Sequence, residues 1–300
     1  MMLNTDAERL AAQLECWSGP VTPEPVAGGL TNTNFVVTDR GERFFVRIGE
    51  DLPVHGILRS NEAAIARAAG AAGVSPPVVH NQQGALVIRF IDGHTLTPED
   101  VRSPEMLERI VPLVRRTHEE IPKHLRGPIL MFWVFHVIRD YVSSLAEARG
   151  EGRESLPGLL ANAEILEDAV GQIDVVLGHN DLLAANFIDD GDRLWLIDWD
   201  YAGFNSPLFD LGGLASNSQL SPDQETWLLE TYFGTEVRPS VRRQFHAMKC
   251  ASLLRETLWS MMSAIHSTVD MDFDAYTQEN LARFELEYEN FMGSPETDVT

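Results

Sequence analysis

Three oxygen-bearing side chains lie close together along one stretch of the sequence, residues 178–211. The stretch reads GHNDLLAANFIDDGDRLWLIDWDYAGFNSPLFDL, and in it Asn186 follows Asp181 by five residues. Asp198 ends a second apolar run, and the turn at residues 189–191 separates the two runs. Because a turn of this kind joins antiparallel strands, the outer ends of the hairpin meet. The sequence therefore predicts that Asn186 and Asp198 share one rim, with Asp181 beside them.

Such a set of side chains suits phosphoryl transfer. Mg²⁺ prefers hard oxygen ligands and usually takes only one or two of them from protein, with phosphates and water completing its shell. Asn186 and Asp198 are the predicted Mg²⁺ ligands, and Asp181 is the predicted catalytic base that orients an acceptor hydroxyl and takes its proton. The spacing His-x-Asp-x4-Asn, headed by His179, matches a protein-kinase catalytic loop. The second element reads Ile-Asp-Trp-Asp in place of Asp-Phe-Gly.

Upstream, the segment GGLTNTNFVV is a candidate phosphate-covering loop. Glycine is followed by hydroxyl and amide residues and then by a strand, so that backbone N–H groups are able to face phosphates. The predicted nucleotide-contacting residues of this loop are Gly29, Thr31, Asn32 and Thr33.

Arg47 is the predicted cationic contact to phosphate. On its strand the apolar residues Phe44, Val46 and Ile48 share one face, so Arg47 points to the other face. The N-terminal part of the chain contains no lysine that could take this role. Glu62, early in the following helix, is expected to pair with Arg47 and hold it in place.

The overall composition excludes several classes of partner. The 300 residues include 23 Lys and Arg and 45 Asp and Glu, which gives a net charge of −22. A chain this acidic repels nucleic-acid phosphates and anionic lipids and attracts small cations. The only two lysines, Lys123 and Lys249, lack the Gly-Lys-Ser/Thr context of a Walker loop. No signal peptide or membrane-spanning run stands out, and two cysteines fit a reducing cytoplasm.

These functional residues require two kinds of supporting structure, and the coarse pattern predicts both. The N-terminal part reads as a helix over 3–16, a loop over 18–29, a hairpin around 39–41, a helix over 60–72 capped by Ser60 or Asn61, and a strand in ALVIRFIDG. The remainder reads as helices over 104–120, 129–149, 155–170, 221–233, 239–267 and 272–292, with a β-rich hairpin over 174–199. We expect an α+β chain with a β-rich N-terminal ATP-binding lobe, 1–92, and a mostly helical catalytic and substrate-binding lobe, 93–300.

The chain resembles the choline/ethanolamine kinase and aminoglycoside phosphotransferase superfamily, whose fold is protein-kinase-like and two-lobed. The motifs that carry the resemblance are GHNDLLAANF, LIDWDYAGFNSPLFDLG and RETLWSMMSAIHSTVDMDFDAYTQENLARFE. Together with GGLTNTNFVV, RFFVRI and NEAAIA, they run over nearly the whole chain. The WDYAGFNSPLFDL and LWS segments point to the choline/ethanolamine branch.

The resemblance implies ATP and Mg²⁺ as cofactors and gives the same roles to the residues above. It implies that the adenine lies against the backbone of Arg89, Phe90 and Ile91. It also implies that Asp210 is a structural aspartate that braces the catalytic loop, rather than a ligand.

The resemblance further implies a small cationic amino alcohol as the acceptor, most simply choline. A trimethylammonium group is recognised by aromatic faces with a nearby anion. Tyr201, Trp259 and Tyr276 match the aromatic pocket of the family, whereas Glu256 stands where its eukaryotic members place an aromatic residue. A carboxylate there is able to accept hydrogen bonds from a primary ammonium, which keeps ethanolamine open. Leu183 likewise replaces a glutamine that those members often carry.

Two alternatives to this activity remain at this stage. The chain could phosphorylate a sugar, an antibiotic or thiamine, and aminoglycoside pockets hold polycationic sugars with many carboxylates. It could also be a non-catalytic nucleotide-binding scaffold, although the complete set of Asp181, Asn186 and Asp198 argues against that. The sequence leaves the oligomeric state open.

Overall fold

One antiparallel sheet organises the N-terminal part of the chain. The structure, a computed structural model, describes residues 4–26, 31–148, 153–267, 269 and 271–294. The sheet has the order β1-β2-β3-β5-β4, and every neighbouring pair is antiparallel. Its strands are Glu24–Val26 (β1), Thr33–Asp39 (β2), Glu42–Ile48 (β3), Val78–Gln82 (β4) and Ala85–Arg89 (β5). Two helices accompany it, Asn4–Ala12 (α1) and Arg59–Ala71 (α2).

The hairpin between β2 and β3 forms where the sequence predicts it. Asp39 pairs with Glu42, and the two turn residues between them, Arg40 and Gly41, have φ angles of 51° and 83°. Positive φ at both central positions gives a turn whose twist matches the strands. Strands β2 and β3 then bury alternate apolar residues in a small core shared with α1. Arg47 lies on the opposite face of β3, as the alternation predicts.

The predicted cap of α2 is wrong. The helix begins at Arg59 after Leu58, whose side chain does not cap it, and Ser60 and Asn61 lie inside the first turn. The carboxylate of Asp51 accepts the N–H of Arg59 at 2.7 Å, so a residue from the preceding loop satisfies the helix end. Asn61 instead bridges two distant backbone groups: its Oδ1 accepts the Leu130 N–H, and its Nδ2 donates to the Ala202 carbonyl.

The rest of the chain is mostly helical. Its helices are Pro98–Val101 (α3), Pro104–His124 (α4), Val134–Glu147 (α5), Leu156–Val170 (α6), Pro207–Ser218 (α7), Pro222–Phe233 (α8), Pro239–His266 (α9) and Phe273–Gly293 (α10). Helix α9 is central, since α5, α6, α7 and α10 all pack against it. The described residues include no helix long and apolar enough to cross a membrane.

Two small sheets carry the predicted catalytic segment. Strands Phe187–Asp189 (β8) and Leu194–Leu196 (β9) form the predicted hairpin, and His94–Thr95 (β6) pairs with β8 on its other side. The Ile197 N–H donates to the Asn186 carbonyl at 3.0 Å, which extends the pairing to the hairpin's outer end. The predicted hairpin over 174–199 is too long, because Val176–Gly178 (β7) pairs instead with Gly203–Asn205 (β10).

Further elements differ from the sequence prediction, which lacked α3 and β6 and began α5 at residue 129 rather than at Val134. Strand β1 lies within the segment that we expected to be loop. Strand β4 and helix α7 were not predicted. The predicted fold class is confirmed: an antiparallel N-terminal sheet joins a helical C-terminal part.

Candidate active site

A buried aspartate at the start of α7 holds the loop that contains Asp181. The carboxylate of Asp210 accepts the backbone N–H groups of His179 at 2.8 Å and of Asn180 at 2.7 Å. The ring of His118 donates to the same carboxylate at 2.8 Å and contacts the hydroxyl of Tyr232 through its other nitrogen. The expected brace by Asp210 is therefore present, and it fixes the backbone directly before Asp181.

Two non-glycine residues of this region have left-handed backbone conformations. Asn180 has a φ of 63° and Asp198 a φ of 70°. The Asn180 amide donates to the carbonyls of Tyr201 at 3.0 Å and Gly203 at 3.2 Å, so its unusual backbone is held by neighbouring chain. Backbone conformations of this kind cost energy and concentrate at functional sites.

Asp181 is mostly buried, with 19% of its side chain exposed. Burial raises the pKa of its carboxyl to about 7, and Arg255 opposes this effect while the neighbouring carboxylate of Glu256 adds to it. A general base works best when its pKa lies near the operating pH. The environment of Asp181 therefore suits a group that accepts a proton from a hydroxyl.

Asn186 and Asp198 present oxygen atoms that fit a Mg²⁺ ion. The Asn186 amide nitrogen donates to the Asp181 carbonyl at 2.9 Å, which leaves its amide oxygen for a ligand. Oδ1 of Asp198 is buried and accepts no hydrogen bond, although Nη2 of Arg47 lies 3.0 Å away. No three His, Cys, Asp or Glu side chains within the described ranges form a ready metal site. A cation here would depend on these two residues and on phosphate oxygens, which is the usual arrangement for Mg²⁺.

Two arginines, Arg47 and Arg59, form a cluster with three carboxylates, Glu62, Asp198 and Asp200. Nη1 of Arg47 lies 2.6 Å from Glu62 and 2.7 Å from Asp200, so the expected Arg47–Glu62 pair is present. Arg59 joins the cluster with contacts of 2.8 Å to Glu62 and 2.7 Å to Asp200. The cluster holds two positive and three negative charges, and this excess of negative charge favours a cation at Asp198.

Sequence reasoning missed Arg59 and Asp200 as members of this cluster. A signal for Arg59 was available, because an arginine three residues before Glu62 on one helix faces that glutamate. Asp200 was visible only as the second aspartate of Ile-Asp-Trp-Asp.

A cavity of about 300 Å³ separates the sheet from the catalytic hairpin. Among its lining residues are Arg47 and Glu62 on one side, Asn186 and Asp198 on the other, and the apolar side chains of Leu86 and Ile88. The size falls at the lower end of the range for small-molecule sites. This cavity is the candidate nucleotide site.

Strand β5, whose residues Leu86 and Ile88 line this cavity, ends at Arg89 and continues into Phe90 and Ile91. The Arg89 N–H donates to the Pro77 carbonyl at 3.4 Å, and the Phe90 N–H donates to the Arg43 carbonyl at 3.1 Å. Of the backbone N–H groups of Arg89, Phe90 and Ile91, the first two therefore already donate hydrogen bonds to neighbouring chain.

The loop residues Thr31 and Asn32 turn towards Asp200. The Thr31 hydroxyl donates to Asp200 at 2.9 Å, and the Asn32 amide lies 3.4 Å from the same oxygen. With Thr33 they line a second cavity of about 270 Å³, whose other lining residues include His55 and Trp259. Gly29 lies outside the described residues.

The four predicted substrate-binding residues lie together, and one of them, Glu256, is close enough to Asp181 to raise the pKa of its carboxyl. The Trp259 indole N–H donates to the Tyr201 hydroxyl at 2.8 Å, and the Tyr276 hydroxyl donates to Oε1 of Glu256 at 2.8 Å. The rings of Trp259 and Tyr276 are 6.5 Å apart. Trp259 is only 6% exposed, and the His55 ring lies 5.5 Å from its own. Burial lowers the pKa of His55 to about 4, with Arg255 and His266 adding to the effect.

Arg255 occupies the middle of this group, and sequence reasoning missed it. Its Nη1 donates to Oε2 of Glu256 at 2.8 Å and lies 3.9 Å from Oδ1 of Asp181. Its guanidinium carbon lies 4.2 Å from the centre of the Tyr201 ring and 5.7 Å from that of Phe132. Position 255 directly precedes a predicted substrate residue, but adjacency on a helix does not show where a side chain points.

The antiparallel N-terminal sheet and the helical C-terminal part together form a kinase-like fold. The solved aminoglycoside phosphotransferase APH(4)-Ia, in a ternary complex with AMP-PNP and hygromycin B, shares this fold with a TM-score of 0.65. It is 14% identical in sequence, and the match covers 96% of this chain and 100% of that one.

A family model for choline/ethanolamine kinase matches residues 24–221, and the chain belongs to this family. Protein LicA of Haemophilus influenzae is 28% identical over 274 residues, covering 86% of this chain and 78% of LicA. Ethanolamine kinase 2 of Mus musculus is 28% identical over 280 residues, covering 83% and 71% respectively. A solved choline/ethanolamine kinase family protein from Mesorhizobium loti is 31% identical, with a TM-score of 0.76 and coverage of 98% and 96%.

Proposed function

We propose that this protein transfers the γ-phosphoryl group of ATP to the hydroxyl of a small cationic amino alcohol, choline or ethanolamine. The observation that carries the proposal is the position of Asp181. On the candidate nucleotide side, its backbone carbonyl accepts a hydrogen bond from the Asn186 amide. On the candidate acceptor side, its carboxylate lies near Arg255 and Glu256. Membership of the choline/ethanolamine kinase family supports the same activity.

On the nucleotide side, the proposal assigns the N-terminal lobe, 1–92, to ATP. Arg47, held by Glu62, contacts the phosphates, and residues 29 and 31–33 cover them. The adenine lies beside Arg89, Phe90 and Ile91, and the backbone N–H of Ile91 serves as its donor because the sheet uses the other two. Mg²⁺ bound by Asn186 and Asp198 would neutralise charge on the phosphates.

On the acceptor side, the proposal assigns the C-terminal lobe, 93–300, to catalysis and substrate binding. Asp181 accepts a hydrogen bond from the hydroxyl, and the hydroxyl oxygen attacks the γ-phosphorus. The bond from that phosphorus to the bridging oxygen breaks, ADP leaves, and Asp181 takes the hydroxyl proton. Glu256, Tyr201, Trp259 and Tyr276 surround the cationic end of the acceptor.

A coupled ADP-release screen tests this proposal. The panel contains choline, ethanolamine, their N-methylated intermediates, thiamine and kanamycin, each with ATP and Mg²⁺. We expect acceptor-dependent ADP release with the amino alcohols and background release with thiamine and kanamycin. Release with kanamycin alone, or none above background with any acceptor, would refute the proposal.

An ATP-dependent activity and two free thiols suit a cytoplasmic location.

A further inference from the structure

The pocket that should receive a substrate cation already contains one from the chain itself. The guanidinium of Arg255 is 4% exposed and lies over the Tyr201 ring at 4.2 Å. It pairs with Glu256 at 2.8 Å and lies 3.9 Å from Asp181. An aromatic face combined with nearby carboxylates is the arrangement that recognises cations. Arg255 therefore uses the part of the site best suited to a quaternary ammonium group.

A second aromatic side chain of the pocket, Trp259, is largely covered, although it lines the cavity of about 270 Å³. The ring of His55 lies 5.5 Å from that of Trp259, and the hydroxyl of Ser263 on α9 lies 3.4 Å from Nε2 of His55. Trp259 is accordingly 6% exposed. Beside the catalytic loop, 19% of the Asp181 side chain and 20% of the Glu256 side chain are exposed. Tyr276, whose hydroxyl donates to Glu256, is also partly exposed.

Exposed carboxylates and free aromatic faces recognise different substrate cations. A primary ammonium has three N–H donors for carboxylate oxygens, whereas a quaternary ammonium has none and depends on aromatic faces. The two oxygens of Glu256 each accept one hydrogen bond, from Tyr276 and Arg255, and each retains capacity for another. When Asp181 is ionised, it and Glu256 together outweigh the single charge of Arg255, so a cation remains attracted.

We propose that Arg255 determines specificity by occupying the face of the Tyr201 ring, so that the enzyme prefers a primary-ammonium acceptor of the ethanolamine type over choline. This inference rests on the proposed amino-alcohol kinase activity and narrows its substrate.

The test measures kcat/KM for ethanolamine, its N-methyl and N,N-dimethyl derivatives, and choline. For the unmodified protein we expect kcat/KM to fall along this series. Arg255→Met, which frees the Tyr201 face and removes the repelling charge, should shift the choline-to-ethanolamine ratio of kcat/KM towards choline by roughly 2- to 30-fold, the range of one cation–π contact. Arg255→Lys, which keeps the charge but loses the planar fork, should shift it less.

Arg243→Met is the matched control. Arg243 lies on the same helix, α9, and its guanidinium carbon lies 4.3 Å from the centre of the Phe291 ring, so it makes a similar contact elsewhere. The ratio should stay at the parental value in this variant.

Several outcomes would overturn the inference. Equal kcat/KM for all four acceptors in the unmodified protein would show that Arg255 moves aside or does not discriminate. An unchanged ratio in Arg255→Met, with a melting temperature near that of the parent, would contradict it directly. If Arg255→Met does not fold, the series in the unmodified protein and in Arg255→Lys decides the question. Activity on choline but not ethanolamine refutes the specificity role alone, whereas activity on none of the four refutes the proposed function as well.

Discussion

Replacing Arg47 with alanine should lower both the stability of the protein and its affinity for ATP. Arg47 contacts Glu62 at 2.6 Å, Asp200 at 2.7 Å and Asp198 at 3.0 Å. The side chains of Arg47, Glu62 and Asp200 are 11%, 3% and 5% exposed, so water screens their charges poorly. Removal of Arg47 leaves Arg59 to balance Glu62 and Asp200 and leaves Asp198 without its arginine partner. Breaking a buried ion pair by removing one partner typically costs about 3–5 kcal/mol.

Thermal denaturation with and without Mg²⁺ measures this effect. We expect Arg47→Ala to melt several degrees below the parent, and Mg²⁺ to raise its melting temperature more than that of the parent, because the ion replaces the lost positive charge. The KM for ATP should rise, and Arg47→Lys should recover only part of the loss, since an ammonium lacks the planar fork.

Arg43→Ala is the matched control for stability. Arg43 lies on the same strand and pairs with Asp92 at 2.6 Å, but the two side chains are 44% and 88% exposed. Exposed pairs of this kind contribute about 0–1 kcal/mol. If Arg47→Ala were as stable as Arg43→Ala and kept the parental KM for ATP, the reasoning about the buried cluster would be refuted.

Three further predictions concern residues with distinct roles. Asp198→Ala should abolish, and Asn186→Ala should weaken, the Mg²⁺-dependent part of ATP binding in titration calorimetry, and unchanged affinity in Asp198→Ala would show that the metal assignment is wrong. Trp259→Phe keeps a ring but loses the N–H bond to Tyr201, so the KM for the amino alcohol should rise roughly 2- to 12-fold while the KM for ATP stays constant; a parallel rise in both would indicate a general loss of structure. Asp210→Asn should lower kcat with little change in ATP affinity, because the two loop N–H groups use different carboxylate oxygens and asparagine replaces one of these acceptors with an NH2 donor. A parental kcat would contradict the bracing role.

The spacing of the functional residues was readable from the sequence because local rules position them. A short hairpin brings its outer ends together regardless of what surrounds it, so the proximity of Asn186 to Asp198 followed from the turn at residues 189–191. Alternation along β3 likewise placed Arg47 on the face opposite to the apolar residues. The Arg47–Glu62 pair and the bracing contacts of Asp210 could be anticipated from the resemblance to known kinases.

Elements whose sequences carry no local pattern could not be predicted from the sequence. Helix α7 buries nearly all of its residues, so it has no polar face from which a helical period could be detected. Strand β1 is only three residues long, contains Pro25 and is exposed, which gives no alternating signal. The cap of α2 depends on Asp51, eight residues before the N–H that it accepts.

The sequence also did not predict that the Arg255 guanidinium lies in the acceptor pocket. Tyr201, Glu256, Trp259 and Tyr276 were expected as substrate contacts, and the structure brings all four together. The position of the Arg255 guanidinium among them depends on the packing of α9 against Tyr201 and on charge from Asp181, a contact between residues 74 positions apart in the chain. Such a contact has no periodic or local signature.

The most direct measurement of the central claim is ³¹P NMR of the reaction with ATP, Mg²⁺ and ethanolamine, run in parallel with the parent protein and Asp181→Asn. The account predicts that the parent forms one phosphomonoester molecule for each ADP molecule. It also predicts that Asp181→Asn still binds ATP but reacts about 10²–10⁴-fold more slowly, as expected for removal of a general base. ADP formed with inorganic phosphate in place of the phosphomonoester, or a rate for Asp181→Asn within twofold of the parent, would contradict the account.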